Sequence, residues 1–335
     1  MSVSTRVMSA GDGYKYLLRT VAAADGERPL STPLTRYYAE AGTPPGRWLG
    51  SGLPALAGGQ LDAGSRVSEA QLELLLGMGR DPGTGAPLGR AYPAYAASES
   101  GPDGVISSGS TTSQQTRRRA VAGYDFTFSL PKSASVLWAI ADAGTQAKIA
   151  EAHHNAIDDV LAFMERELAA TRAGESARNG AVAQVDVTGL IAAAFDHFDS
   201  RAGDPQLHTH VVVSNKVRTV FDGKWRSLDG RPLHAATVAL SELHNAVFAD
   251  HLTRALGVGW ERREREADRN PVWAIARVPE DLVAEFSSRS RHIDIEKDRL
   301  IDEYIAAHGR TPSNVTVIRL RQQATLSTRP DKQLR

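Results

Sequence analysis

The stretch from Leu190 to Val217 restricts the fold more than any other part of the chain. Two strand-like runs, Leu190–Phe198 and Leu207–Val217, flank a short connection, Asp199–Gln206, that contains Gly203 and Pro205. So short a connection turns the chain back on itself, and the two strands are expected to pair antiparallel. Residues two apart in a strand share a face, so His208 and His210 present their imidazoles on one side. His197 lies eleven residues before His208, on the partner strand, where the turn can bring it beside that pair. Neutral imidazoles ligate divalent first-row metals, and three nitrogens leave coordination positions open for a substrate oxygen. Solvent-facing strand residues would explain an isolated His-x-His, but not a third histidine on the neighbouring strand.

Composition narrows the chemistry further. The chain has no cysteine, which removes disulfide scaffolds, thiolate zinc sites, iron–sulfur clusters and thiol nucleophiles, so any metal falls to His and carboxylates. Lys plus Arg number 39 and Asp plus Glu also 39, so attraction to a polyanion has to come from local basic patches. With 41% hydrophobic and 23% charged residues over 335, the chain can bury the core of one large or two ordinary domains. Neither a signal peptide nor a run of about twenty apolar residues is present, and a cytoplasmic protein is expected.

Around the histidine strands, patterning predicts a strand, a turn at Ala10–Gly13 and an apolar, tyrosine-bearing segment at the start, then loops over 42–66 and 80–114 with a helix Ser68–Met78 between them. Tyr124–Leu130 alternates as a strand, Pro131 ends it, and Ser133 opens a helix. A helix over Thr145–Ala170, a strand over Ala181–Asp186, a helix over 237–257 and a hairpin at 260–278 around Asn270-Pro271 follow. The tail from 280 is expected to begin helical and then loosen. The other histidines, among them His153, His154, His244 and His251, are expected on helices without partners.

Two further groups could serve the histidines. Asp125 lies on the Tyr124–Leu130 strand, where its carboxylate could accept an imidazole N–H or take a proton from a nucleophile; capping a turn on an edge strand is the plainer role. Tyr14, Tyr16, Tyr37 and Tyr38 are half of the eight tyrosines. A phenol, with a pKa near 10, becomes a nucleophile only beside a base or metal charge, and otherwise aromatics simply fill a core.

Taken together, the early tyrosines, the segment Gly123-Tyr124-Asp125-Phe126-Thr127-Phe128-Ser129-Leu130-Pro131-Lys132-Ser133, and His197 with Asp204-Pro205-Gln206-Leu207-His208-Thr209-His210 resemble the conjugative relaxases of the TrwC/TraI type, within the HUH endonuclease superfamily. The resemblance runs from Ser9-Ala10-Gly11 to about residue 300. It implies an α+β fold, with a central antiparallel β-sheet flanked by helices and a helical fingers region over the DNA. It implies a relaxase domain over 1–310, with 311–335 a basic tail or linker toward a helicase part; no Walker-type loop occurs in the chain itself. The implied activity is nicking of one DNA strand at a plasmid origin of transfer by tyrosyl transesterification, leaving the protein joined to the 5′ phosphate. His197, His208 and His210 would hold a divalent ion, Mg²⁺ or Mn²⁺ or another, and Asp125 would orient a histidine or act as base. Tyr16 falls where the first nucleophile is expected, Tyr14 is the second choice, and Tyr37 or Tyr38 would end transfer. Implied partners are single-stranded origin DNA, relaxosome accessory proteins and the coupling protein of a type IV secretion system, in the bacterial cytoplasm.

For DNA contact the basic residues flanking the site are Arg117, Arg118 and Arg119 on one side and Lys216, Arg218, Lys224 and Arg226 on the other, with Lys132 and Arg201 nearer the site. Trp225 among them offers a stacking surface, while a merely solvated hairpin accounts for any single one of these charges. Two rivals remain. A small-molecule metal hydrolase would leave the tyrosines without a role. A non-covalent origin-binding or replication-initiator protein would bind DNA without forming an adduct.

Overall fold

The computed structural model describes residues 2–18, 44–93, 119–174, 182–200, 202–266 and 269–328. Its strands are β1 (Val3–Ser9), β2 (Arg47–Leu49), β3 (Val121–Ser129), β4 (Ala170–Ala173), β5 (Ala183–Asp186), β6 (Ala192–Asp199), β7 (Pro205–Ser214), β8 (Lys216–Arg218), β9 (Trp225–Ser227), β10 (Trp260–Arg263) and β11 (Val272–Ile275). Five of them form one sheet in the order β1-β3-β7-β6-β2, antiparallel throughout, and the others pair as β4-β5, β8-β9 and β10-β11. The mixed α and β content and the central antiparallel sheet agree with the expected fold class. The β6–β7 return uses Gly203 at φ +80°, a left-handed conformation that suits glycine, and Pro205 starts β7, where a missing N–H does least harm.

The helices are α1 (Lys15–Leu18), α2 (Glu69–Leu72), α3 (Lys132–Ile140), α4 (Ala143–Glu167), α5 (Gly230–Ala235), α6 (Thr237–Leu256), α7 (Glu280–Glu285), α8 (Ser288–His308) and α9 (Asn314–Ser327). A capping box on Ser68 and Gln71 starts α2, which continues as a π-helical stretch Glu73–Met78 and stops at Gly79, φ +69°. Asp142 caps α4 through the backbone N–H groups of Gly144 and Thr145, so this helix begins two residues before the expected Thr145. It also ends sooner, because Ala170–Ala173 leaves to pair with β5.

Other departures have equally local causes. The expected strand Leu207–Val217 is broken at Asn215, whose N–H and side chain donate to Ala122 and Val121 and turn the chain into β8. β2 lies inside the expected 42–66 loop and is held by pairing to β6, a long-range partner that local patterning does not reveal. The described part of the tail stays helical to Ser327, with α9 lying against α8, where loosening was expected.

Strand parity sorts the sheet's two faces. Phe126, Phe128, Val211, Val213, Ala192 and Ala194 pack with Ile157, Val160 and Met164 of α4 and Leu240 of α6. On the opposite face, Phe195, Ala193 and Val212 pack with Trp48, Leu17 and the Leu72–Leu76 helix. β3 lies inside the sheet, between β1 and β7, so Asp125 is not the edge-strand residue of the plainer reading.

The helix-covered face carries a polar network. Asp196 accepts from Arg47 Nη1 (2.8 Å), His154 Nε2 (2.9 Å) and Thr209 Oγ1 (2.6 Å). Thr209 Oγ1 lies 3.0 Å from His153 Nε2, and His153 Nδ1 3.4 Å from His244 Nε2. His251 meets Asp159 at 2.7 Å, so three of the four histidines expected to lack partners, His153, His154 and His251, are paired, and His244 contacts His153.

Two stability predictions follow from this face. Burial holds His153 well below the ordinary histidine pKa and pushes His244 down to about 4, so both stay neutral in the native protein while the unfolded chain takes up protons near pH 6.5. Stability should therefore fall as pH drops from 6.5 toward 4, by about 1.4 kcal/mol per pH unit for each histidine. Asp196, also held far below its ordinary value, loses its contribution only below about pH 4, outside that window. Urea midpoints that stay level between pH 7.5 and 5 would contradict this. Asp196→Ala strands the partly buried Arg47 guanidinium and should cost roughly 3–5 kcal/mol in the same assay at pH 7.5.

Candidate active site

β6 and β7 pair so that His197 stands directly opposite His208, and His210 follows two residues along the same face. The three rings lie 5.0–5.4 Å apart between centroids, and one ligand atom from each lies within 4.8 Å of the others. Hydrogen bonds orient the rings. His208 Nδ1 donates to the Gln206 carbonyl at 2.8 Å, and His210 Nδ1 donates to both Asp125 oxygens at 2.9 Å. Each bond fixes the tautomer that leaves an Nε2 lone pair for a metal, and the Nε2 of His197 is itself buried. Burial pushes His208 down to about 4, so it is neutral, the form that ligates, at physiological pH. The donor set and its outer hydrogen bonds fit a divalent cation.

Asp125 is 3% exposed and faces the histidines from the neighbouring strand. Its Oδ2 also accepts from the Tyr16 hydroxyl, so one carboxylate joins a phenol to a ligand-grade imidazole. The Tyr16 ring stands edge-on to His210 with centroids 5.9 Å apart. Burial first, and the Asp125 charge second, raise the Tyr16 phenol well above its ordinary value, so it rests protonated.

Tyr14 goes elsewhere. The chain there is already helical, where residues two apart point to nearly opposite sides rather than sharing a face. Tyr14 is 3% exposed and packs with Met8, Leu17 and Leu75. Tyr37 and Tyr38 lie outside the described residues, as do Arg117, Arg118 and Arg201.

The remaining basic candidates divide by exposure and engagement. Lys132 is committed to the fold, its Nζ donating to the Pro205 carbonyl at 2.7 Å. Lys216 is not a surface charge either: it is 3% exposed and its Nζ donates to the Arg90 carbonyl at 2.5 Å. Arg226 makes a two-pronged pair with Asp222 (2.7 and 2.8 Å), and Arg218 Nε donates to Gly223 O. Lys224 and Arg119 are exposed. Sequence reasoning missed Asp196, Thr209, Arg47 and His154, directly behind the triad. Asp196 and Thr209 alternate with the histidines and were open to a parity argument, whereas Arg47 and His154 arrive from distant elements and carry no local signal.

The chain is similar to known proteins. The chain is 34% identical over 178 residues to the multifunctional conjugation protein TraI of Escherichia coli, a match covering 51% of this chain and 9% of that protein. A second TraI, from E. coli strain K12, is 33% identical over 181 residues, again covering 9% of its length. The chain thus matches only about a tenth of the length of these relatives. Among solved structures, the conjugative relaxase TrwC in complex with OriT DNA, in a copper-bound form, superposes with a TM-score of 0.65 at 26% identity, covering 99% of this chain and 92% of that one. A metal-bound TrwC complex with OriT DNA gives a TM-score of 0.64 at 24% identity, a likeness of fold. The TrwC relaxase family model matches residues 10–335, nearly the whole chain, and the protein belongs to that family.

Proposed function

We propose that this chain nicks one strand of DNA at a plasmid origin of transfer by tyrosyl transesterification. The observation that carries the reading is the hydrogen-bonded line from Tyr16 through Asp125 to His210, ending in three converging imidazoles. Tyr16 Oη attacks the scissile phosphorus, an O–P bond forms, and the P–O3′ bond breaks. The 3′ oxygen leaves with the bonding pair and takes a proton from solvent to become a free hydroxyl, and the 5′ phosphate stays on the tyrosine. Asp125 takes the phenol proton as attack proceeds while keeping His210 Nδ1–H in place. His197, His208 and His210 would hold Mg²⁺ or Mn²⁺, which when bound draws charge from the non-bridging phosphate oxygens. One phosphoester replaces another, so the nick can be resealed.

Lys224, Arg119 and Arg218 are the exposed basic candidates among the described residues, with Arg117, Arg118 and Arg201 as further ones. Tyr37 or Tyr38 would supply the second nucleophile. In this reading, residues 1–310 are the nicking domain, and the protein works in the bacterial cytoplasm with relaxosome accessory proteins and a coupling protein. No helix among the described residues is long and apolar enough to cross a membrane.

Incubation with Mg²⁺ and labelled single strands of the cognate origin, run on a denaturing gel, should give a protein band carrying DNA. Tyr16→Phe and His208→Ala should abolish the band and Tyr14→Phe should keep it. Persistence in Tyr16→Phe would move the nucleophile elsewhere. DNA binding with no adduct on any strand would leave a non-covalent origin-binding protein. Asp125→Asn should slow adduct formation by about 10²–10⁴-fold if the carboxylate is the base. The same variant should weaken Mn²⁺ binding, read by calorimetry, by about 10–100-fold through loss of the carboxylate behind His210.

A further inference from the structure

At the far end of the histidine strand, a cavity of about 490 Å³ opens between β4, β9, the start of β8 and the loop that ends at Arg90. The stretch of β7 from His210 to Ser214 alone puts it about 14 Å from the triad, so it is a separate place on the surface. The walls are fixed by backbone contacts. Thr171 bridges to Leu228, the Asp229 N–H donates to Ala170, and Thr171 Oγ1 donates to Ser227 O. Gly89, at φ +68°, brings the loop so close to the Trp225 carbonyl that a Cβ would lie 2.6 Å from it.

The charges in this cavity do not cancel. Arg226 is neutralised by Asp222, and Asp229 by Arg231 at 2.6 Å. Arg90, Arg172 and Lys216 remain: among the described residues none of the three closes an ion pair, and the Arg172 charge acts on the Asp229 carboxylate only at longer range, behind Arg231. Lys216 is the telling one. Among the described residues its buried ammonium meets the Arg90 carbonyl and the face of Tyr92, 4.6 Å from the ring centroid. Burial draws its pKa below the ordinary lysine value, the mark of a charge without compensation. Trp225, half-buried, adds an aromatic wall to these cations.

From this we infer that the cavity seats one nucleotide of the DNA strand, its phosphate held by Arg90 and Arg172 with the charge of buried Lys216 behind them, and its base against Trp225. The inference rests on the reading of the chain as a protein of single-stranded DNA. Cation plus aromatic wall is how single strands are held without base readout, and the volume lies in the range of small-ligand pockets, about 300–1,000 Å³. The site acts as an anchor: it holds the strand at a distance from the scissile phosphate and takes no part in the chemistry.

The test is fluorescence anisotropy with two labelled origin strands, one extending ten nucleotides to either side of the nick and one ending within two nucleotides of it. Arg90→Ala/Arg172→Ala removes two exposed charges, and its melting temperature should match wild type. Affinity for the long strand should fall at least tenfold, and the slope of log K against log salt should shrink by about 1.4, two contacts at about 0.7 each. Affinity for the short strand should stay unchanged. Equal losses on both strands, or none on the long one, overturn the inference. Wild-type protein that binds neither strand overturns the functional reading itself. In that case, titration of deoxyadenosine monophosphate followed at the Trp225 indole resonance decides the cavity: a shift lost in the double variant keeps a nucleotide site, and no shift removes it.

Discussion

The pairing of β6 with β7 is the constraint on which the rest depends, because alternation along two strands builds the triad and its support at once. Asp196 and His197 are neighbours and point to opposite faces, and Thr209 stands between His208 and His210 with the same inversion. On the helix-covered side, Asp196 binds Thr209 across the pair and gathers Arg47 from β2 and His154 from α4. A slip of one residue would send the imidazoles into the apolar core and the carboxylate to the site. The buried acid thus costs desolvation but specifies register, and register is what makes three histidines converge.

Much of this was legible in the sequence, since its cause is local. His-x-His after a Gly and Pro turn fixes two rings on one face, and a third on the partner strand has one direction to point. Asp125 was legible for the same reason, as a polar residue in an alternating strand, although its burial inside the sheet was not. Tyr16 was separable from Tyr14 only by its motif position. The physical reason for the separation is the helical turn at Asp12–Leu18, which sends one ring into the core and the other to the carboxylate.

What escaped reading came from partners far apart in the chain. β2 is three residues long and owes its existence to β6. Lys216 reads locally as one of a run of exposed cations, yet the bend at Asn215 and the loop reaching Arg90 bury it. The four helical histidines 153, 154, 244 and 251 look partnerless along the sequence because Thr209, Asp196 and Asp159 approach them from other elements. α9 lacks a strong apolar stripe of its own, and its packing on α8 is a tertiary effect that tail composition does not announce.

The resting state of Tyr16 shows why a phenol can be placed here and still wait. Its hydroxyl already donates to Asp125, so the proton's acceptor is in place, but burial and that same negative charge oppose the phenolate. A base alone would leave the nucleophile weak. On the proposed function, a cation held by the three imidazoles would offset the negative charge that forms on the phenol oxygen as Asp125 takes its proton. One cation would then serve both the phosphate and the tyrosine, and without it the phenol would stay protonated. On the proposed function, an arrangement of this kind would restrict attack to a strand already seated against the histidines, which is the control that covalent attachment to a substrate requires.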